Sequence, residues 1–177
     1  GDLAEGSGAI WYNRGYPSHK HGGGIVAMVD TNGVETSLSM SFVSGEVDRF
    51  NKTPVEQYGA MIKSKFPAAA IAEGIGTSSD ANAPLVWSLG GFDDRAKYAF
   101  EIISCRDGEG ADRSAFEVSG ANTVKGVANS SGNFQTPLVL ADVRSLNGKL
   151  TLKHWSADAG GASSFVAFRI LRFPPSR

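Results

Sequence analysis

The chain has 177 residues and a formal net charge of -1; 41% of its residues are hydrophobic and 20% are charged. Balanced, scattered charge argues against nucleic-acid binding, and no apolar run approaches the roughly 20 residues needed to span a bilayer, so we expect no membrane insertion. The single cysteine, Cys105, excludes an internal disulfide and a cysteine-based zinc site. This length predicts one domain over residues 1–177.

The N-terminal segment, residues 1–24, is rich in glycine but also contains Trp11, Tyr12 and Tyr16. These are too many aromatic residues for a disordered tail. We therefore expect the segment to lie over the domain, with a short strand at Ala9 to Trp11.

A β-hairpin is predicted over residues 25–43. Asp30-Thr31-Asn32-Gly33 is a strong turn signal between two apolar strands. In the second strand Val34, Leu38, Met40 and Phe42 face one way. The opposite face carries Ser37, Ser39 and Ser41, which are smaller and less charged than the residues of a freely solvated sheet. We expect that face to be covered, by residues 1–24 for example, or to be a contact surface.

The strand pattern breaks between residues 44 and 84. Helical spacing of Val55, Tyr58, Met61 and Ile62 predicts one short helix within residues 54–66. Leu85, Trp87 and Leu89 then alternate as in a strand.

The central segment, residues 98–120, is predicted to contain two strands, 98–104 and 114–118, paired as a hairpin through a polar, glycine-containing loop. Arg106 and Arg113 stand at the two ends of that loop. We expect them to lie close together and to pair with acidic residues of the loop, with Arg106 mainly structural.

The remaining chain alternates between strands and turns. Strands are predicted at 124–128, 138–143, 150–155 and 165–173. In the third of these, Leu150, Leu152 and His154 face one way and Thr151, Lys153 and Trp155 the other. About nine strands with one short helix predict an all-β fold, a β-sandwich or jelly roll.

The order of several loose motifs resembles a family of galactose-binding-like jelly-roll domains. These domains occur in bacterial extracellular glycan-processing proteins and in some phage structural proteins. The motifs span residues 9–173 and are WYN, VDTNGVETSLSM, FPAAA, Tyr98-x-Phe100, Ser104-x-Arg106, Arg113-x-x-x-x-Val118-x-Gly120, Asn133 and Asn147-Gly148. The resemblance implies a jelly-roll sandwich that binds glycan without catalysing a reaction.

Sugar binding requires aromatic faces for the apolar side of a pyranose ring and fixed polar groups for its hydroxyls. Two stretches provide that mixture, if the fold brings them together. The candidate ligand-binding residues are Trp11, Tyr12, Asn13, Arg14, Tyr16 and His19 in the first stretch, and Arg106, Asp107, Asp112 and Arg113 in the second. The alternative is that the aromatic residues cover the end of the sandwich and that the arginines pair within their own loop.

Other chemistry has weaker support. No G-x-S-x-G motif marks a serine hydrolase, and His154 lies in a predicted strand. His19 and His21 lack an evident third metal ligand. Asp30, Asn32 and Glu35 resemble half of a calcium loop but lack the rest of the series, so we expect no cofactor.

Two functions remain open. The first is a non-enzymatic carbohydrate-binding module, acting outside the cell or on a cell or virion surface. The second is a structural or assembly protein, such as a virion or surface component, built on the same sandwich. A homo-oligomer is compatible with either function and would favour the second.

Overall fold

A computed structural model describes residues 8–12, 26–30, 32–107 and 112–173, which contain twelve strands and one α-helix. The strands are β1 (Gly8–Tyr12), β2 (Val26–Asp30), β3 (Glu35–Ser44), β4 (Arg49–Lys52), β5 (Glu73–Gly76), β6 (Leu85–Gly90), β7 (Lys97–Ile103), β8 (Arg113–Ser119), β9 (Thr123–Asn129), β10 (Leu138–Val143), β11 (Lys149–Ser156) and β12 (Ala167–Phe173). The helix is α1 (Ala60–Lys65), and 3₁₀ turns lie at Val55–Gln57 and Ala68–Ala70.

Ten of these strands form one hydrogen-bonded array in the order β10-β7-β12-β1-β2-β3-β6-β11-β8-β9, while β4 pairs with β5. The array curls until its first and last strands meet. A Cβ atom added at Gly126 of β9 would lie only 2.8 Å from Leu140 and 2.9 Å from Leu138 of β10. The result is two facing layers around one core, which confirms the predicted all-β jelly-roll sandwich.

The core follows the period-2 alternation of the sequence. On β6, the inward residues Leu85, Trp87 and Leu89 are at most 1% exposed, because successive side chains of a strand point to opposite faces. On β11, Leu150, Leu152 and His154 are buried in the same way. The predicted inward faces of these strands are confirmed.

The hairpin predicted for the central segment is wrong. Strand β7 lies between β10 and β12, whereas β8 lies between β11 and β9, so the 104–112 connection crosses from one layer to the other. Phe100 and Phe116 belong to the same apolar core, to which they contribute from opposite layers. Alternation showed that both strands have an inward face, but it does not specify which strand lies beside which.

The β2–β3 hairpin is confirmed, with Val29 opposite Glu35. The Asp30 carboxylate accepts hydrogen bonds from the backbone N–H groups of Asn32 (2.8 Å) and Val34 (2.9 Å). These hydrogen bonds lower the pKa of Asp30, and the one from Val34 has the largest effect. Val34 was expected to face inward but is 61% exposed, because it lies in the turn before β3 begins.

The predicted helix within 54–66 is shorter in the structure. The α-helix begins after Gly59, whose backbone N–H donates to the carbonyl of Phe134 (2.9 Å). Tyr58 and Ile62 are buried as expected, but Met61 is 45% exposed. Strands β4 and β5 were not predicted, because four residues are too few to show a clear alternation.

The two ends of the sandwich differ. Strand registers place the connections 31–34, 91–96, 120–122 and 144–148 at one end, here called the turn end. The strand ends that the longer connections 13–25, 45–84, 104–112, 130–137 and 157–166 join lie at the opposite end, here called the loop end. Binding residues are concentrated on loops that a rigid scaffold holds in place, so we expect a binding site at the loop end.

The expected cover over residues 37–41 stays a prediction. Ser37 is exposed, and Ser39 and Ser41 are half-buried. Apart from β1, which pairs with β12 and β2, residues 1–24 lie outside the described part of the chain.

Candidate functional site

At the loop end, strand β1 ends near the loop that carries Arg106. Tyr12 ends β1 opposite Ala167 of β12, and Ala167 lies opposite Ile103 of β7. Adjacent strands are about 4.8 Å apart, so β1 leaves the sandwich roughly 10 Å from the loop that carries Arg106. Of the first stretch, Asn13, Arg14, Tyr16 and His19 lie outside the described residues, as do the side chains of Trp11 and Tyr12.

Arg106 and Asp112 form an ion pair within the 104–112 connection. The Arg106 Nη1 atom lies 2.9 Å from Asp112 Oδ2, and the two side chains are 25% and 21% exposed. Asp112 also accepts a hydrogen bond from the backbone N–H of Ala162 (3.1 Å), and the N–H of Arg106 donates to the carbonyl of Ser130 (2.8 Å). The expected pairing of Arg106 with an acidic residue of its own loop is therefore confirmed.

Arg113 has a different partner from the one expected. Its guanidinium lies 2.5 Å from Asp158, and its backbone N–H donates to the same carboxylate (3.0 Å). This hydrogen-bonded pair raises the pKa of Arg113 and lowers the pKa of Asp158. Arg113 thus ties β8 to the 157–166 connection, while Asp107 is exposed.

Arg106→Ala should lower the free energy of unfolding by about 1–3 kcal/mol, because it leaves the largely buried Asp112 carboxylate without its charged partner. Chemical denaturation measures the loss. Lys97→Ala is the control, since the Lys97–Asp142 pair is exposed (39% and 73%) and should contribute less than about 1 kcal/mol. Unchanged stability together with lost ligand binding would show that Arg106 is a binding residue instead.

A cleft of about 390 Å³ lies beside the Arg113–Asp158 pair, between the 78–82 loop and residues 155–160. We call it the Trp155 cleft. Trp155 is half-buried and stands on the outer face of β11, because the residue before it, His154, points into the core. Asp80 and Asn82 line the cleft with it.

Hydrogen bonds hold the polar wall of the Trp155 cleft in place. The Asp80 carboxylate accepts from the backbone N–H (2.8 Å) and the side-chain amide (3.2 Å) of Asn82. The Ser156 N–H donates to the carbonyl of Ser79 (2.8 Å), and the Ser78 N–H donates to Asp48 (2.7 Å). The 78–82 loop is therefore fixed to β11, and its polar groups have defined positions.

Sequence reasoning missed this cleft. The usable signal was Trp155 itself, a large aromatic residue on the polar side of an alternating strand, directly before a glycine-rich loop. Its polar partners could not be found in the same way, because Asp80 and Asn82 are far from it in the sequence.

A second cleft, of about 430 Å³, lies at the edge of β9 and is here called the edge cleft. Val127, Asn129, Asn133 and Leu138 contribute to its lining. The Asn133 side chain bonds the backbone N–H (3.2 Å) and carbonyl (3.0 Å) of Thr136. That bonding shapes the 130–137 connection where it passes β9.

A buried serine network lies between the connections of the loop end. Ser104 and Ser114 each contact the Ser130 hydroxyl, at 3.0 and 2.5 Å. Ser104 also donates to the carbonyl of Ser164 (2.6 Å), whose N–H donates to the Ser114 hydroxyl (2.8 Å). The network links the 104–112, 130–137 and 157–166 connections, so the walls of both clefts have a common support.

Two adjacent carboxylates, Asp93 and Asp94, have structural partners. Asp93 is ion-paired with Arg95 and Arg172, and Asp94 accepts hydrogen bonds from the Ser145 hydroxyl (2.6 Å) and the Gly148 N–H (2.9 Å). Both carboxylates thus stabilise the turn end. Within the described ranges, no three His, Cys, Asp or Glu side chains are grouped so as to hold a metal ion.

None of the described helices is long and apolar enough to cross a membrane.

No protein-family model matches the sequence, and comparison with curated proteins found no match. Among solved structures, the chain is similar to a CBM35 carbohydrate-binding module, from Abf62 of Cellvibrio japonicus, with a TM-score of 0.48 and 13% identity over 96% of this chain and 99% of that one. It is also similar to the CBM22-1–GH10 modules of the Clostridium thermocellum endo-1,4-β-D-xylanase 10B, complexed with xylohexaose, with a TM-score of 0.41 and 12% identity over 77% of this chain and 28% of that one. At these levels of similarity neither structure assigns a role to a residue here.

Proposed function

We propose that this protein is a non-catalytic carbohydrate-binding module that acts outside the cell and holds its ligand in the Trp155 cleft. The observation that carries the proposal is the half-buried Trp155 ring in a cleft that the polar residues Ser78, Asp80 and Asn82 also line. An indole face packs against the apolar face of a sugar ring, while nearby fixed polar groups bond its hydroxyls.

The polar groups of the cleft suit this ligand. Asp80 and Asn82 supply acceptors and a donor from a loop already held to β11, so little conformational entropy is lost when they bind. The candidate binding residues predicted from sequence are Trp11, Tyr12, Asn13, Arg14, Tyr16 and His19, together with Arg106, Asp107, Asp112 and Arg113 at the loop end. We propose that they extend the binding surface around the cleft.

The assignment as non-catalytic rests on the carboxylates. Glycoside hydrolysis requires two carboxyl groups facing each other across the scissile bond. Among the described residues that line the Trp155 cleft, Asp80 alone carries a carboxylate. Such a site binds a sugar without the acid–base pair that would cleave it.

Trp155→Ala should weaken glycan binding at least tenfold, about 1.4 kcal/mol, because it removes the aromatic platform. A glycan array identifies ligands of the wild-type protein, and isothermal titration with the best of them measures the variant. Phe173→Ala is the control, since Phe173 is an aromatic residue 48% exposed at the turn end.

Equal affinity of Trp155→Ala and the wild type would refute this site. An array without any selective glycan would refute the function itself. Light scattering that then showed a defined oligomer would favour the assembly protein instead.

A further inference from the structure

The Trp155 cleft and the edge cleft each have a lining residue on the outer face of the same layer. Trp155 of β11 lies opposite Ala115 of β8, and Ala115 lies opposite Val127 of β9. Trp155 lines the first cleft and Val127 lines the second. We propose that the two clefts form one continuous path, which binds a linear, neutral oligosaccharide running across strands β11, β8 and β9. This proposal rests on the proposed function and specifies its ligand.

The strip between the clefts is apolar. Val127 is 51% exposed, whereas Ala115 is 4% exposed. The strip therefore presents Trp155 and Val127 on either side of a small residue. An oligosaccharide that stacks one ring on the indole would place its next rings over this strip. Their apolar faces would then contact apolar side chains and no charged groups.

Polar rows flank the strip on both sides. On one side Lys153, Glu117 and Lys125 lie opposite one another on β11, β8 and β9. The Glu117 carboxylate bonds both ammonium groups, at 3.0 and 2.7 Å, and the hydrogen bond from Lys125 is the main cause that lowers the pKa of Glu117. On the other side Arg113, bound to Asp158, lies opposite Asn129.

This arrangement matches the chemistry of a linear glycan. The apolar faces of its rings would cover the strip, and the hydroxyls at the ring edges would meet the polar rows. Most charges on both rows are already ion-paired within the protein, so they offer hydrogen bonds to neutral hydroxyls more than an attraction for an anion.

The length of the path excludes a single sugar as the full ligand. Two strand spacings separate Trp155 from Val127, which is about 10 Å, and the edge cleft continues beyond β9 to the 130–137 connection. A monosaccharide would fill the Trp155 cleft alone, whereas an oligosaccharide would reach both clefts.

Isothermal titration with xylo-, cello- and manno-oligosaccharides of increasing length, from one sugar to a hexasaccharide, tests the path, beginning with the series that the array selects. Affinity should rise with length and then level off when the edge cleft is filled. Val127→Glu, which places a charged side chain in the path, should weaken binding of the hexasaccharide by about tenfold or more and leave the disaccharide unaffected. Trp155→Ala should weaken both.

Val34→Glu is the matched control, because Val34 is also an exposed valine (61%) but lies directly before β3 at the turn end, away from both clefts. If the disaccharide and the hexasaccharide bind equally, or if Val127→Glu binds the hexasaccharide like the wild type, the continuous path is wrong and the Trp155 site stands. If no sugar of any length binds, the proposed function fails together with the path.

Discussion

Phe100→Ala should lower the free energy of unfolding by about 3–5 kcal/mol. Phe100 is fully buried on β7 and stacks on Phe168 of β12, with ring centroids 5.6 Å apart. Truncation removes apolar surface from the core and leaves a cavity, and the paired strands on both sides prevent the layer from collapsing into it. Urea denaturation followed by tryptophan fluorescence measures the difference.

The control for this variant is Leu146→Ala. Leu146 is 55% exposed at the turn end, so its truncation should change the free energy of unfolding by less than about 0.5 kcal/mol. A loss below about 1 kcal/mol for Phe100→Ala would mean that the inward face of β7 is misassigned, since a slip of one residue moves every side chain to the other face.

Lowering the pH from 7.5 to 5 should destabilise the protein by about 2 kcal/mol through His154 alone. The ring is fully buried, and neither of its nitrogens has a hydrogen-bond partner among the described residues. The rings around it are Phe116 (4.7 Å between centroids), Phe165 (5.6 Å) and Trp87 (6.4 Å). Burial in this apolar cluster lowers the pKa of His154 from 6.5 to about 3.

The direction of the effect follows from proton binding. Between pH 6.5 and about 3 the unfolded chain binds a proton at His154 that the folded protein does not, so stability falls as the pH falls. The contribution of His154 is complete above pH 6.5 and changes no further below about pH 3. The carboxylates titrate mostly below pH 5 in the unfolded chain. Between pH 7.5 and 5 the change in stability therefore comes mainly from the histidine.

His154→Phe keeps an aromatic ring in the cluster and removes the titrating group. Denaturation at pH 7.5 and at pH 5 should show the difference of about 2 kcal/mol in the wild type and little of it in the variant. The readout is the difference between the free energies of unfolding at the two pH values. A change in packing that shifts both free energies equally does not affect it. A variant with the same pH dependence as the wild type would show that His154 does not cause it.

Residues 150–155 show how much of the fold can be predicted from local sequence patterns. Alternation along 150–155 correctly separated Leu152 and His154 from Trp155, because the direction of a side chain in a strand depends only on its position in that strand. The β2–β3 hairpin was also predicted correctly, because a tight turn places the two strands that it joins side by side. The all-β class followed from many such strands separated by turns.

The ion pairs of the candidate site could be predicted only in part from the sequence. The pairing of Arg106 with Asp112 could be predicted, since both residues belong to one loop. The pairing of Arg113 with Asp158 could not, because β7 and β8 were expected to be neighbours and instead lie in opposite layers.

Most of the strands, most of their inward faces and the β2–β3 turn could therefore be predicted from the sequence, because these depend on residues close together in the chain. Only the tertiary structure decided that the 104–112 connection crosses between layers and that Trp155 shares a cleft with Asp80. It also decided that Trp155, Ala115 and Val127 form one strip. These neighbours come from separate strands and loops, and the curling of the whole array around its core brings them together.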